Sequence, residues 1–306
     1  MMNAVDVFKS ALKQFPPIKG LIDERDALIK AHGIAPPGHF YSPVVSLAEM
    51  TRDKARLFGA VPRTIAGIDL NESEQLELMT EFETYYNAIP FTATKTAGTR
   101  YYYDNPAYSF LDAIILHCMM RHARPKRFIE IGSGFSSCAM LDTNEQVFSN
   151  AIQTTFIEPY PKLLESLITA DDKARVTIVP TRLQDVDPAV FDQLQENDIL
   201  FVDSTHVSKT GSGVNTLFFD VMPRLNAGVF IHIHDVFYPF EYPEDWVFGG
   251  RSWNEIYMLR TFLQHNDKYK IVFMNTFMEH FHETRFQQTM PLCLKNRGGS
   301  IWLRKR

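Results

Sequence analysis

Two apolar runs in this 306-residue chain end in side chains that can move protons. Phe201-Val202 leads into Asp203-Ser204-Thr205-His206, and Ile231-His232-Ile233 leads into His234-Asp235. Histidine is the side chain best matched to proton transfer near neutral pH, and a neighbouring carboxylate can orient it. His206 is therefore the first candidate for a general base. Asp235 or Asp203 would orient it, and His234 is a further catalytic candidate. Alternatively, Asp203 and Asp235 hold a divalent cation that lowers the pKa of an acceptor hydroxyl. Strand alternation places His232 and His234 on one face, so a buried core role competes with a catalytic one at both.

A third run, Phe128-Ile129-Glu130-Ile131, leads into Gly132-Ser133-Gly134-Phe135-Ser136-Ser137. Two glycines directly after a buried strand, opening a helix, let backbone come close to a ligand beside free N–H groups. The third glycine of the dinucleotide pattern is absent, since Ser137 stands where it would fall. Glu130 is expected to face the cleft and to engage a cation such as an amino-acid ammonium. Glu158, closing Phe156-Ile157, is placed to hydrogen-bond both hydroxyls of a ribose. Leu183-Gln184-Asp185-Val186 offers polar groups, Asp185 among them, where an adenine amine would lie. A plain helix cap at Asp185 or Asp187 accounts for that segment equally well.

These tips need a scaffold, and the sequence supplies one from residue 127 onward. Short apolar runs at 127–131, 153–158, 176–180, 198–203 and 228–236 alternate with helical patterns at 136–148, 161–170, 188–195 and 213–225. That rhythm signals crossovers between parallel strands. A helix at 253–265 then precedes strands at 269–277 and 300–304, with no obvious helix between them. The expectation is an α/β, Rossmann-like, seven-stranded and mostly parallel sheet with helices on both faces and an antiparallel last strand. Residues 1–105 read as a helical N-terminal extension or cap, and 106–306 as the domain that carries the chemistry. Within the extension, 1–32 reads as amphipathic helix broken at Pro16-Pro17, and 72–88 and 109–122 read as helices.

Glu130-Ile131-Gly132-Ser133-Gly134, Glu158 and the strand ending at Asp203 together resemble the class I S-adenosylmethionine-dependent methyltransferases over about residues 100–306. Separate segments are similar to a bacterial subgroup of small-molecule and sugar O-methyltransferases: Phe40-Tyr41-Ser42-Pro43, Tyr102-Tyr103-Asp104-Asn105-Pro106, Asp203-Ser204-Thr205-His206 and His234-Asp235-Val236-Phe237-Tyr238-Pro239. The resemblance implies S-adenosylmethionine as cofactor. Glu130, Gly132, Ser133 and Gly134 would hold its methionine end and Glu158 its ribose, with Asp185 and Asp203 also in contact. The strand tips would lie beside the sulfonium, so that His206 takes a hydroxyl proton. Catechol-type relatives bind magnesium through Asp-Asn after the fifth strand. This chain has Asp235-Val236, which weighs against a metal. Tyr41, Tyr102 and Tyr238 are candidate acceptor contacts, and the aromatic stretch 237–253 reads as a lid over the acceptor pocket or as packing against the N-terminal helices or a partner subunit.

Composition narrows the partners. A formal charge of −5 and no basic stretch beyond Arg304-Lys305-Arg306 argue against a nucleic-acid substrate. Asn105-Pro106-Ala107-Tyr108 lies upstream of the glycine turn, whereas amino-group methylation of nucleic acids needs such a motif at the fourth strand tip. Three well-separated cysteines give neither a disulfide framework nor metal spacing. Without a signal-like start or a long apolar span, a cytoplasmic location and no membrane partner are expected. A small-molecule acceptor is the expected partner, and the helical N-terminal third offers a surface for a homodimer. A nicotinamide-dependent oxidoreductase would want the missing glycine and a Tyr-x-x-x-Lys. A non-catalytic cofactor-binding or scaffold protein would not need polar residues at both strand tips.

Overall fold

In the computed structural model, which describes residues 14–31 and 33–306, the apolar runs become one seven-stranded sheet. Its strands are β1 (Arg127–Ile131), β2 (Gln153–Ile157), β3 (Thr177–Val179), β4 (Ile199–Val202), β5 (Phe230–His234), β6 (Tyr269–Met274) and β7 (Ser300–Lys305), in the order β3-β2-β1-β4-β5-β7-β6. β4 and β5 are buried along their whole length. Strands buried on both sides in this way need helices covering both faces of the sheet. β7 inserts antiparallel between β5 and β6. The Rossmann-like expectation and its reversed late strand agree with this architecture.

The chain winds outward from β1 to β3, then crosses back to place β4 on the other side of β1. Ligands bind at such a reversal, outside the carboxyl ends of the strands. The helix Phe135–Phe148 starts directly at this point. The helix Phe110–Ala123, apolar nearly all round and buried except at Arg121 and His122, supports the core from below.

Several elements differ from the sequence reading. A helix at Asn275–Thr289 joins β6 to β7, so β6 stops at Met274, short of residue 277. Its sequence mixes aromatic and charged residues without a clean stripe, and it kinks at His282. Residues 213–225 form only a short α-helix, Gly213–Thr216, followed by a π turn and a 3-10 turn. A helix at Leu47–Phe58, capped by Ser46, was not anticipated. Near the start, Gln14 is helical, Phe15 bends and Pro16 opens the helix Pro16–Ala31, so the helical path is interrupted next to the two prolines, and a first-turn proline forgoes no hydrogen bond. The part of that reading on residues 1–13 lies outside the described residues.

The chain forms two compact units. One holds the described residues up to Ala60 together with Glu244–Ser252. Within it Lys54 pairs with Glu244 at 2.5 Å, and Phe58 meets Phe248. The other holds Val61–Pro243 and Trp253–Arg306, so residues 61–105 belong with the sheet and not with an extension ending at 105. Arg100 shows why. Its guanidinium reaches Asp142 on the helix Phe135–Phe148 and Asp172 on the helix Ala170–Arg175, each at 2.7 Å, and all three are buried. No helix among the described residues is long and apolar enough to cross a membrane.

Candidate active site

A cleft of about 570 Å³ lies along the tips of β1, β2 and β4, a size that suits a nucleoside-sized ligand. Gly132 and Glu158 line one part of it, Leu183 and Gln184 another, and Asp203 and Ser204 the end nearest β5. Gly132 has a left-handed φ of 81°, and a β-carbon there would lie 1.7 Å from the carbonyl oxygen of Asp203. Only glycine fits. Gly134 differs: its φ of −173° is extended backbone, and an added methyl would meet only Leu163, at 3.6 Å. The fold itself does not require that glycine. Glu158 accepts hydrogen bonds from the N–H groups of Ser133 and Tyr160, at 3.2 and 2.7 Å, which fixes its carboxylate at the cleft.

Glu130 does not face the cleft as its position suggested. It is fully buried, its Oε1 accepting from the Ser136 hydroxyl at 2.5 Å and its Oε2 lacking a protein partner. Burial pushes its pKa up to about 8, against the hydroxyls of Ser136 and Ser137. Burial therefore favours its neutral form. Asp185 is also off the cleft: Arg182 holds its carboxylate at 2.7 Å on the exposed side, while Leu183 and Gln184 provide the lining.

Beyond Asp203, the tips of β4 and β5 bring four predicted residues together. His206 Nε2 lies 3.5 Å from Asp203 and 3.3 Å from Asp235. His234 Nδ1 lies 3.4 Å from Asp203 and 3.5 Å from Asp235. Each aspartate thus faces two imidazoles. His206 and Asp235 both adopt left-handed backbone, at φ 54° and 56°, a conformation uncommon for non-glycine residues. His232, by contrast, stacks on Phe201 and finds no hydrogen-bond partner for either nitrogen. Burial drives its pKa down to about 3, so it is a neutral core residue.

The charge states follow from these contacts. Burial opposes a charged His206, but Asp203 and Glu255 outweigh it and raise its pKa to about 10. Burial likewise opposes ionisation of Asp203, yet His234 and His206 hold it far below the usual carboxylate range. His234 is raised well above the ordinary histidine value by Asp203, Asp235 and Asp112, again against burial. Burial raises Asp235 in spite of both histidines. Asp203, His206 and Asp235 offer three ligand atoms within 4.8 Å of one another, a spacing that one cation can bridge.

Sequence reasoning missed two carboxylates behind the histidines. Glu255 Oε2 lies 3.0 Å from His206 Nδ1. Asp112 lies 3.5 Å from His234 Nε2 and accepts from Asn275, Gly299 and Ser300. Both come from helix starts far away in sequence, where an acid looks like an ordinary helix-dipole partner.

The acceptor candidates scatter. Tyr102 packs edge-on against Phe135, beside the glycine turn. Tyr41 belongs to the smaller unit, where it is exposed next to Phe40. Tyr238 is buried against Phe277 and Phe281, and its hydroxyl donates to the carbonyl of Pro62 at 2.6 Å. That contact removes it from the strand tips.

Residues 129–236 match the family model described as a methyltransferase domain. An uncharacterized protein of Archaeoglobus fulgidus is 36% identical over 170 residues, which is 54% of this chain and 76% of that protein. Solved structures with a similar chain path include the methyltransferase PaMTH1 of Podospora anserina bound to SAH, 16% identical with a TM-score of 0.41, covering 86% of this chain and 98% of its own. Another is the O-methyltransferase TomG of Streptomyces achromogenes in complex with SAM, 14% identical with a TM-score of 0.41, covering 78% and 91%. The sheet with its reversed late strand, the glycine turn and the matched domain define a class. The chain belongs to the class I S-adenosylmethionine-dependent methyltransferases.

Proposed function

We propose that the protein methylates a hydroxyl of a small-molecule acceptor, with His206 taking the hydroxyl proton. The observation that carries this reading is the position of Asp203. It lines the cleft and also stands 3.5 Å from His206 Nε2. Bound S-adenosylmethionine supplies an electrophilic methyl group. Gly132 and the Ser133 amide would sit against its methionine part, Glu158 would hold the ribose hydroxyls, and Leu183 with Gln184 would flank the adenine. The bare backbone of Gly132 at the cleft and the fixed carboxylate of Glu158 suit that cofactor. Asp203 and Asp235 stabilise the imidazolium that forms when His206 accepts a proton. A formal charge of −5 favours a small acceptor over a polyanion.

The test is to incubate the protein with S-adenosylmethionine and a panel of phenols and free sugars, following S-adenosylhomocysteine and the methylated product. Methyl on oxygen, lost in H206N, is expected. Methyl recovered on nitrogen, or H206N as active as the parent, would overturn the reading.

One observation favours a second reading. Asp203, His206 Nε2 and Asp235 converge as a ligand set, and Glu255 backs the other nitrogen of His206 as carboxylates back metal-bound histidines. Two carboxylates and an imidazole suit a transition-metal dication better than magnesium, which prefers an all-oxygen shell. A cation there would lower the acceptor hydroxyl's pKa directly.

A further inference from the structure

The helix Glu255–Leu263 begins with a carboxylate that is only 2% exposed. Acids at helix starts usually sit in water, where the helix dipole favours them. Burying one requires a compensating partner. Among the described residues that partner is His206: Glu255 Oε2 lies 3.0 Å from its Nδ1, while Oε1 has no hydrogen bond. The same turn also grips the histidine's backbone. The N–H groups of Asn254 and Glu255 both donate to the His206 carbonyl, each at 3.1 Å. Trp253 closes the remaining side, its ring centroid 4.5 Å from that of the imidazole. Ring and backbone are held by three consecutive residues, and the backbone they hold is in the left-handed region. With Nδ1 engaged from behind, Nε2 is the nitrogen left facing Asp203 and Asp235.

We propose that Glu255 is the positioning residue of the reaction centre: by accepting Nδ1–H it fixes the imidazole so that Nε2 is presented to the acceptor hydroxyl. The inference rests on the reading of His206 given above. In the step it serves, the O–H bond breaks and its proton forms an N–H bond at Nε2. The oxygen's electron pair bonds to the methyl carbon as the carbon–sulfur bond breaks, with the sulfur keeping that pair. The Nδ1 proton stays where it is, shared with Glu255, which gains no proton and does not touch the acceptor. Without Glu255 the neutral ring is free to carry its single proton on Nε2, and in that tautomer it cannot accept another at the working position.

The deciding measurement is nitrogen-15 NMR of the protein labelled at its histidine imidazoles and saturated with S-adenosylhomocysteine, with the His206 signals assigned by their loss in H206N. The expected result is a slowly exchanging Nδ1–H for His206 that disappears in E255L. Calorimetry should show S-adenosylhomocysteine bound about as tightly, because Glu255 does not line the cleft. Methyl transfer to the phenol panel should fall about 10²-fold in kcat in E255L, the usual scale of lost acid–base help, with acceptor KM little changed. A His206 Nδ1–H that persists unaltered in folded E255L overturns the proposal. If E255L does not fold, E255Q decides. It keeps the shape and one acceptor oxygen but loses the charge, so the Nδ1–H resonance should move, and an unmoved resonance overturns the proposal equally. Failure of the His206 reading shows separately, as full methyl transfer in H206N.

Discussion

Gly132 packs so closely against Asp203 that a single added carbon would lie 1.7 Å from the Asp203 carbonyl oxygen. The amide of Asp203 in turn donates to the carbonyl of Ile131, next to that glycine, at 2.8 Å. The turn that borders the cofactor cleft and the strand tip that carries the candidate chemistry are therefore one mechanical piece. A change at the glycine displaces the aspartate, and with it both histidines.

Replacement of Gly132 by valine should abolish binding of S-adenosylhomocysteine in calorimetry and lower the melting temperature, because the side chain cannot enter without moving β4. Gly134→Ala is the informative companion. Its backbone conformation tolerates a side chain and its β-carbon meets only Leu163, so the protein should fold normally. Its affinity for S-adenosylhomocysteine should stay close to the parent's, since Gly134 does not line the cleft. A G132V protein that binds as well as its parent would contradict the placement of the cofactor.

A base that holds its proton up to about 10 is mostly occupied at neutral pH. Deprotonated His206 is the competent form, so kcat/KM should climb with pH and level off near 10 instead of near the ordinary histidine value of 6.5. A pH–rate profile under saturating cofactor checks this. A profile already flat from pH 7 upward would remove His206 as the proton acceptor.

The sheet was legible because two independent rhythms agree from residue 127 onward: short apolar runs, and helical patterns at crossover length. β1 spans the expected residues, and the remaining strands shift only at their ends. Asn275–Thr289 escaped because interleaved residues such as Glu279, His280, Phe281 and His282 leave no apolar stripe to read. Strand tips announce themselves in sequence, so Asp203, His206, His234 and Asp235 could be grouped. Glu255 and Asp112 could not. Their roles depend on tertiary contacts across 49 residues in one case and on a convergence of four elements in the other. Glu130 shows the opposite failure, since a motif position does not say whether a carboxyl faces solvent or lies under Ser136.

Arg100 predicts the acid stability of the larger unit. Asp172 is buried, and although burial opposes its charge, Arg100 and Thr169 bring its pKa down to about 2. A depressed carboxylate stabilises the fold above its unfolded pKa, near 3.8, and that contribution fades as pH falls toward about 2. Asp142 shares the guanidinium, but burial raises its pKa, so Asp172 carries this dependence. Arg100→Ala leaves buried carboxylates uncompensated and should cost about 3–5 kcal/mol in urea unfolding at pH 7. D172N should flatten the loss of stability below pH 4, a value set by the ordinary carboxylate range. An R100A protein as stable as its parent would show that the cluster is not what ties 61–105 to the sheet.

Metal dependence turns on how the two aspartates are already compensated. Asp203 and Asp235 each stand within 3.3 to 3.5 Å of both His206 and His234. Opposite charge at that range, partly shielded from water, favours the ionised form of Asp203 without any added cation, whereas at Asp235 burial outweighs the two histidines. His234 is itself anchored from behind by Asp112, whose burial opposes ionisation but whose carboxyl is held below its ordinary range by His234 and Ser300. A dication entering between the aspartates would have to displace His206 Nε2 from its proton and then stand close to a charged His234. Dialysis against EDTA should therefore leave methyl transfer intact, and added magnesium or manganese should not raise it. Activity lost in EDTA and restored by manganese would instead establish Asp203, His206 and Asp235 as ligands, with His206 bound as a neutral ring and no longer available as a base.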